Sequence, residues 1–367
     1  MITERFRIGS SLRVIIANTG WLFALRLLRI LFALFVTAWV ARYLGTEHFG
    51  LFQYGIAFVG LFGPLAVFGL QGIVVRDIVR EPEARDEILG TTFVLRLLGG
   101  AAGALLVVLS VAAVRPDQQA RIITGVISLT LLLQSFDTID MWFQSQVQSK
   151  YYVIAKGAAL VLISLLKIAA ILAGLPVTAF AVLTVVDAAA GGAGLVVAYR
   201  SRGFRLRRWR FSRARARDLL GQSWTLILSG TLAIIYLKID QVMLGGMKDD
   251  SAVGVYSTAV RLSEVWYFIP AAVTTSVFPA LIRSRERGTE IYLGRLQQLY
   301  DGLAWIALVV AAALSVVARP LVVLLFGTPY AAAGPILAVH VWAGVFVFLK
   351  AAMVQWLLNE GLSLIHI

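Results

Sequence analysis

Thr91-Thr-Phe-Val-Leu-Arg-Leu-Leu-Gly-Gly-Ala-Ala-Gly-Ala-Leu-Leu-Val-Val-Leu-Ser-Val-Ala-Ala-Val114 carries a single charge, Arg96. At 1.5 Å per residue a helix of this length rises roughly 36 Å, enough to cross a hydrocarbon core about 30 Å thick. Backbone groups facing lipid have no water to bond, so such a run must satisfy them internally as a helix. The rest of the chain has the same character. Of 367 residues, 59% are hydrophobic and 14% charged, against about 25% charged in ordinary soluble domains. One soluble core cannot hide that much apolar surface.

Nine further segments read the same way. The predicted spans cover residues 21–40, 51–74, 91–114, 122–143, 153–172, 177–199, 219–244, 255–281, 300–317 and 334–357. The expected fold class is an all-α polytopic membrane protein of about ten transmembrane helices. Pro64 and Pro270 fall inside two spans and should kink them. The basic start, residues 1–18, leads into a full span and reads as no cleavable signal. The absence of cysteine excludes disulfides.

A net charge of +13 could suggest nucleic acid, but its distribution points to topology. With the N-terminus inside, inner segments hold 21 Lys and Arg, while outer segments hold five, Arg42, Arg115, Arg121, Lys248 and Arg319. That bias predicts a cytoplasmic N-terminus. Trp142, Trp224 and Trp356 lie near span ends, where interfacial anchors belong. Residues 200–218 hold nine arginines and one acid, Asp218. They divide the chain into a six-helix lobe (1–199), a basic cytoplasmic linker (200–218) and a four-helix lobe (219–367). The linker is expected to rest on anionic headgroups of the membrane lipids; binding a partner or acidic substrate is the alternative.

The chain echoes itself. Leu44-Gly45 and Phe49-Gly-Leu-Phe52 join spans one and two; Leu244-Gly245 and Val253-Gly-Val-Tyr256 join spans seven and eight. Six helices is an even number, so the second lobe would repeat the first in the same orientation, as in transporters with a cavity between parallel repeats.

At these residues the chain resembles a known family. Ala41-Arg-Tyr-Leu-Gly-Thr-Glu-His-Phe-Gly-Leu-Phe-Gln-Tyr54 is similar to the first outer loop of Wzx-type O-antigen and exopolysaccharide flippases. Lys238-Ile-Asp-Gln-Val-Met-Leu-Gly245 with Val253-Gly-Val-Tyr256, then Val277-Phe-Pro-Ala280, then Leu325-Phe-Gly327 with Tyr330-Ala-Ala-Ala333, follow in the family's order. The resemblance implies the multidrug/oligosaccharidyl-lipid/polysaccharide exporter fold: two six-helix lobes around a central cavity in the bacterial inner membrane. It implies outward movement of undecaprenyl-diphosphate-linked sugars by alternating access, with a proton or sodium gradient as the drive and no cofactor. Polysaccharide assembly proteins would be partners. The family has at least six spans after the linker and this chain four, so the reading frame is expected to continue past Gly361-Leu-Ser-Leu-Ile-His-Ile367.

Charges inside spans are costly and are candidate functional groups. Arg26 and Arg29 are three apart, hence on one helix face, and two guanidinium groups suit a diphosphate; alternatively they pair with Asp137 and Asp140. Lys167 and Lys350 could add to a cationic cavity. Arg96, near a span end, is expected to snorkel to the headgroups, and Arg261 and Glu264 to form an internal pair. Asp137 and Asp140 share a face, and two nearby carboxylates can hold a proton between them. Asp187 and Asp240 are lone candidates for ion coupling. Gly99-Gly100 and Gly191-Gly192 should allow close helix packing.

Enzyme chemistry finds little support. His48, His340 and His366 have no metal spacing, and neither a nucleophile elbow nor a phosphate loop occurs. A polymerase or glycosyltransferase would need an extended outer loop for its acceptor, and none is present. Another exporter of the same fold, a peptidoglycan-precursor flippase or a drug/cation antiporter, is the main alternative.

Overall fold

The computed structural model describes residues 3–285 and 288–359, with side chains from Ile30 onward except those of residues 275, 278–280, 355, 358 and 359. Fourteen α-helices run through these residues. They are α1 (Thr3–Leu61), α2 (Gly63–Val67), α3 (Gln71–Arg80), α4 (Arg85–Val114), α5 (Gln118–Leu133), α6 (Thr138–Ser145) and α7 (Lys150–Leu172), then α8 (Val177–Ser201), α9 (Arg213–Met247), α10 (Asp250–Glu264), α11 (Phe268–Arg285), α12 (Thr289–Phe326), α13 (Ala333–His340) and α14 (Ala343–Asn359).

Eight helical stretches among the described residues are long and apolar enough to cross a membrane. They correspond to eight of the ten predicted spans, the first running on from span one into span two. The other two, residues 51–74 and 255–281, are helical but interrupted. The first breaks at Phe62, just before Pro64, and again where Phe68 and Gly69 take positive φ. The second breaks at a 3₁₀ turn, Val265–Tyr267, just before Pro270. A proline removes one helical N–H and crowds the carbonyl a turn earlier, so each break lies where that crowding falls. The joint expected between spans one and two is a single residue: α1 continues through it, with only Gly45 (φ 71°, ψ 175°) non-helical.

The chain forms two compact units, residues 1–42 with 258–367, and residues 43–257. In the first, α12 presents a buried stripe of Leu299, Leu303, Ala307, Ala311, Leu314, Ala318, Val322 and Phe326, the three-to-four spacing of one helical face. Phe348 and Ala352 of α14 pack against its first half. At its far end Arg42 donates to the carbonyls of Leu324 and, at 2.8 Å, Leu325, groups that a helix C-terminus leaves unpaired. Tyr330 donates to the Ala41 carbonyl at 2.8 Å. Arg42, counted by sequence as an outer-loop charge, is thus a helix cap.

In the second unit small residues let backbones approach. A side chain on Gly99 would strike the Leu65 carbonyl and the Phe68 ring, and one on Gly100 the Leu131 carbonyl. Gly192 abuts Phe136. The glycine pairs therefore serve packing, as expected. Trp142, expected as an interfacial anchor, is 4% exposed in an aromatic cluster with Phe143, Tyr199 and Phe204. Trp224 is exposed, as an anchor should be.

Candidate functional site

Two features of the second unit have the chemistry of a working site. The first is a group of four charges on four elements. Arg96 of α4 is 3% exposed and Asp140 of α6 is 7% exposed. Asp137, in the 3₁₀ turn before α6, pairs with Lys156 of α7 at 2.8 Å. Asp140 accepts from Gln144 Nε2 at 2.5 Å, and Gln144 in turn accepts from Gln71 at 3.2 Å. Arg96 interacts electrostatically with both aspartates. Gly191 of α8 leaves the space Lys156 uses: a Cβ there would lie 3.1 Å from Lys156 Nζ. Arg96 Nε and Asp140 Oδ1 have no hydrogen-bond partner among the described residues.

Two cations and two anions balance, so the group is tolerable at low dielectric. A spare acceptor and a spare donor leave room for one proton or a small cation to change hands. Sequence reasoning found the aspartates but not their partners. It expected Arg96 to snorkel, whereas the helix turns that side chain inward, and it counted Lys156 among the 21 inner Lys and Arg although Lys156 falls within the span 153–172. The signal available was an arginine several residues inside an apolar run, with no way to tell which face it occupied.

The second feature is a seam between the two echoed motifs. Gly50 and Gly254 lie backbone to backbone: a Cβ on Gly50 would overlap the Asp250 carbonyl, and one on Gly254 the Thr46 carbonyl. Ser251 donates to Thr46 across it at 2.8 Å. Arg115, at the end of α4, pairs with Asp250 at 2.6 Å, donates to the Gly245 carbonyl and lies 4.6 Å over the Tyr54 ring. Burial pushes the Asp250 carboxyl up more strongly than Arg115 pulls it down. The sequence showed the echo but not that its halves touch.

The remaining candidates are dispersed. Asp240 accepts from the Tyr256 hydroxyl and from the Gln241 amide at 2.7 Å. Asp187 in α8 and Lys167 in α7 are half-buried, and Lys350 in α14 is exposed. Arg26 and Arg29 lie on helical backbone, but their side chains are outside the described residues, as are His366 and the segment from 360 onward. Arg261 and Glu264, expected to pair, make no ion pair among the described residues, although their charges interact. No group of three or more His, Asp or Glu able to hold a metal occurs among the described residues.

A family model described as polysaccharide biosynthesis protein matches residues 15–285. No curated protein matches the chain. Among solved structures, a MATE-family multidrug resistance transporter of the MOP superfamily, inward-facing, aligns with TM-score 0.69 at 18% identity, over 91% of this chain and 82% of its own. A eukaryotic MATE transporter aligns with TM-score 0.55 at 15% identity, over 94% and 85%. A MATE transporter in a bent conformation gives 0.54 at 17%, over 92% and 81%. At these identities the likeness shows the fold, which is the exporter fold expected from sequence.

Proposed function

Because the chain belongs to the polysaccharide biosynthesis protein family, we propose that it flips an undecaprenyl-diphosphate-linked oligosaccharide, an O-antigen or exopolysaccharide unit, across the bacterial inner membrane. The observation carrying this reading is a polysaccharide-biosynthesis chain built on a MATE transporter fold. A diphosphate headgroup cannot cross hydrocarbon unaided, and such a fold offers a protein path. The N-terminus and linker are cytoplasmic on the arginine bias. In this reading the lobes are residues 1–199 and 219–367, and the glycine seam, on the arginine bias, lies toward the outer side. Alternating access requires that seam to part and the Arg115–Asp250 pair across it to break. Arg26, Arg29, Lys167 and Lys350 are the cations offered to the diphosphate. Asp137 and Asp140, beside Arg96 and Lys156, are the foremost groups for proton or sodium coupling, with Asp187 and Asp240 behind them. Polysaccharide assembly proteins are the natural partners.

Expression in a strain lacking its own flippase tests the reading. The chain should restore surface polysaccharide. The R26Q/R29Q double variant, at matched membrane level, should not, because glutamine keeps helical propensity but loses the charged fork. A second reading, a drug/cation antiporter, draws on the multidrug transporter among the similar structures. Export of a cationic dye without restored polysaccharide would replace the flippase by it.

A further inference from the structure

The linker between the lobes folds into a pocket of about 490 Å³, lined by Arg200, Gly203, Phe204, Arg205, Leu206 and Arg207. We propose that this pocket is a specific binding site for the phosphate of an anionic phospholipid headgroup in the adjoining leaflet.

A basic loop alone would attract such lipids only diffusely. Here the loop is held in one shape. Phe204 meets Trp142 edge-on at 4.5 Å and stacks on Tyr199 at 5.3 Å, and the Arg85 guanidinium lies 4.7 Å over the Phe204 ring. Trp209 Nε1 donates to the Tyr199 hydroxyl at 3.2 Å, the Arg210 amide to the Asp86 carbonyl at 3.1 Å, and the Ser212 amide to the Thr91 hydroxyl at 3.0 Å. Gly203 supplies the tight turn with φ 83°, which favours glycine. The pocket's arginines are therefore placed before any ligand arrives, which lowers the ordering cost of binding.

Four acids of this region are engaged elsewhere. Glu81 pairs with Arg215 at 2.5 Å, and those hydrogen bonds hold its carboxyl below the usual carboxylate range. Glu87 lies 3.8 Å from the same arginine, Asp86 pairs with Arg85 at 2.9 Å, and Asp218 accepts from Gln222 at 3.0 Å. Among the described residues, no ion pair or side-chain hydrogen bond engages Arg200, Arg205 or Arg207. Three exposed, unneutralised guanidinium groups around one opening match a phosphate, which they bind in bidentate fashion. Phe204 and Leu206 give the opening an apolar side for the glycerol backbone. The pocket begins at the end of the span Val177–Ser201, and Arg85 and Tyr151, at the starts of the spans Pro82–Val114 and Lys150–Leu172, touch Phe204 and Arg202. The ends of spans sit at headgroup depth. A lipid is therefore the occupant the position favours over a free anion.

The leaflet follows from the orientation proposed above; the pocket does not, so its test uses purified full-length protein in neutral detergent at physiological salt. Dioleoyl phosphatidylglycerol is titrated, with dioleoyl phosphatidylcholine and inorganic phosphate as parallel probes, and binding is followed by native mass spectrometry. Each basic residue at an anionic surface contributes roughly fivefold, so R200Q/R205Q/R207Q should weaken phosphatidylglycerol binding on the order of 100-fold. The equally discharged control R208Q/R213Q/R217Q should lose less than about fivefold, because screening suppresses diffuse attraction. The lysine triple R200K/R205K/R207K keeps the charge and guards against misfolding; it should fall between them. Equal loss in the two glutamine triples would overturn the pocket. Inorganic phosphate binding as tightly as the lipid would overturn the lipid as its occupant.

Discussion

Lys156 and Asp137 are each about 30% exposed on their side chains and 2.8 Å apart. Partly wetted pairs are worth less than sealed ones, so K156M or D137N should each cost about 1–2 kcal/mol. The double variant should cost less than the sum, with a coupling near 1 kcal/mol, read from melting of the purified protein as a double-mutant cycle. Strict additivity would show that the two do not interact. At this scale the sequence was legible for identity and illegible for partnership. That Asp137 and Asp140 sit inside an apolar run marked them at once. Their partners Arg96 and Lys156 come from helices that only folding brings near, and Lys156, near the start of the span 153–172, was counted with the inner charges. Arg42 shows the same limit: its partners are carbonyls of Leu324 and Leu325, far along the chain and without side-chain signature.

Between elements, backbone contact leaves little tolerance. Gly50→Ala would press a methyl into the Asp250 carbonyl, and Gly254→Ala into that of Thr46. Backbone cannot swing aside as a side chain can, so each should destabilise the protein by about 1–3 kcal/mol. Gly246 lies in the same region with no atom within 4 Å of its would-be Cβ. Gly246→Ala should therefore be neutral or stabilise by about 0.5–1 kcal/mol, since alanine suits a helix better. Equal melting of all three variants would mean that the seam does not hold. The apolar runs made most helices readable, and the prolines located the breaks in two predicted spans. The continuity of α1 past residue 41 was not readable, because Gly45 and its polar neighbours look like a loop. Only the conformation shows that one glycine absorbs the whole turn.

For the whole molecule, apolar run length and the ordered motifs were enough to reach the exporter fold. How the linker is held was not readable. Its nine arginines dominate any reading by composition, while the residues that pin it, Asp86, Thr91, Trp142 and Tyr199, lie elsewhere in the chain. This has a consequence for digestion. Trypsin cuts after arginine, and by sequence alone residues 200–217 are the most susceptible stretch of the protein. A protease, however, must draw several residues into its cleft as an extended strand, which a docked segment permits only when it opens locally. With the linker cytoplasmic, as proposed, it should survive indefinitely in right-side-out vesicles. In inside-out vesicles it should be cut slowly, at a rate set by opening and not by enzyme concentration once trypsin is abundant. Rapid cutting from the outside would reverse the orientation, and immediate cutting from the inside would mean that the segment is a loose tether. A chain with its densest cluster of cleavage sites in a folded joint would thus resist nicking between its halves.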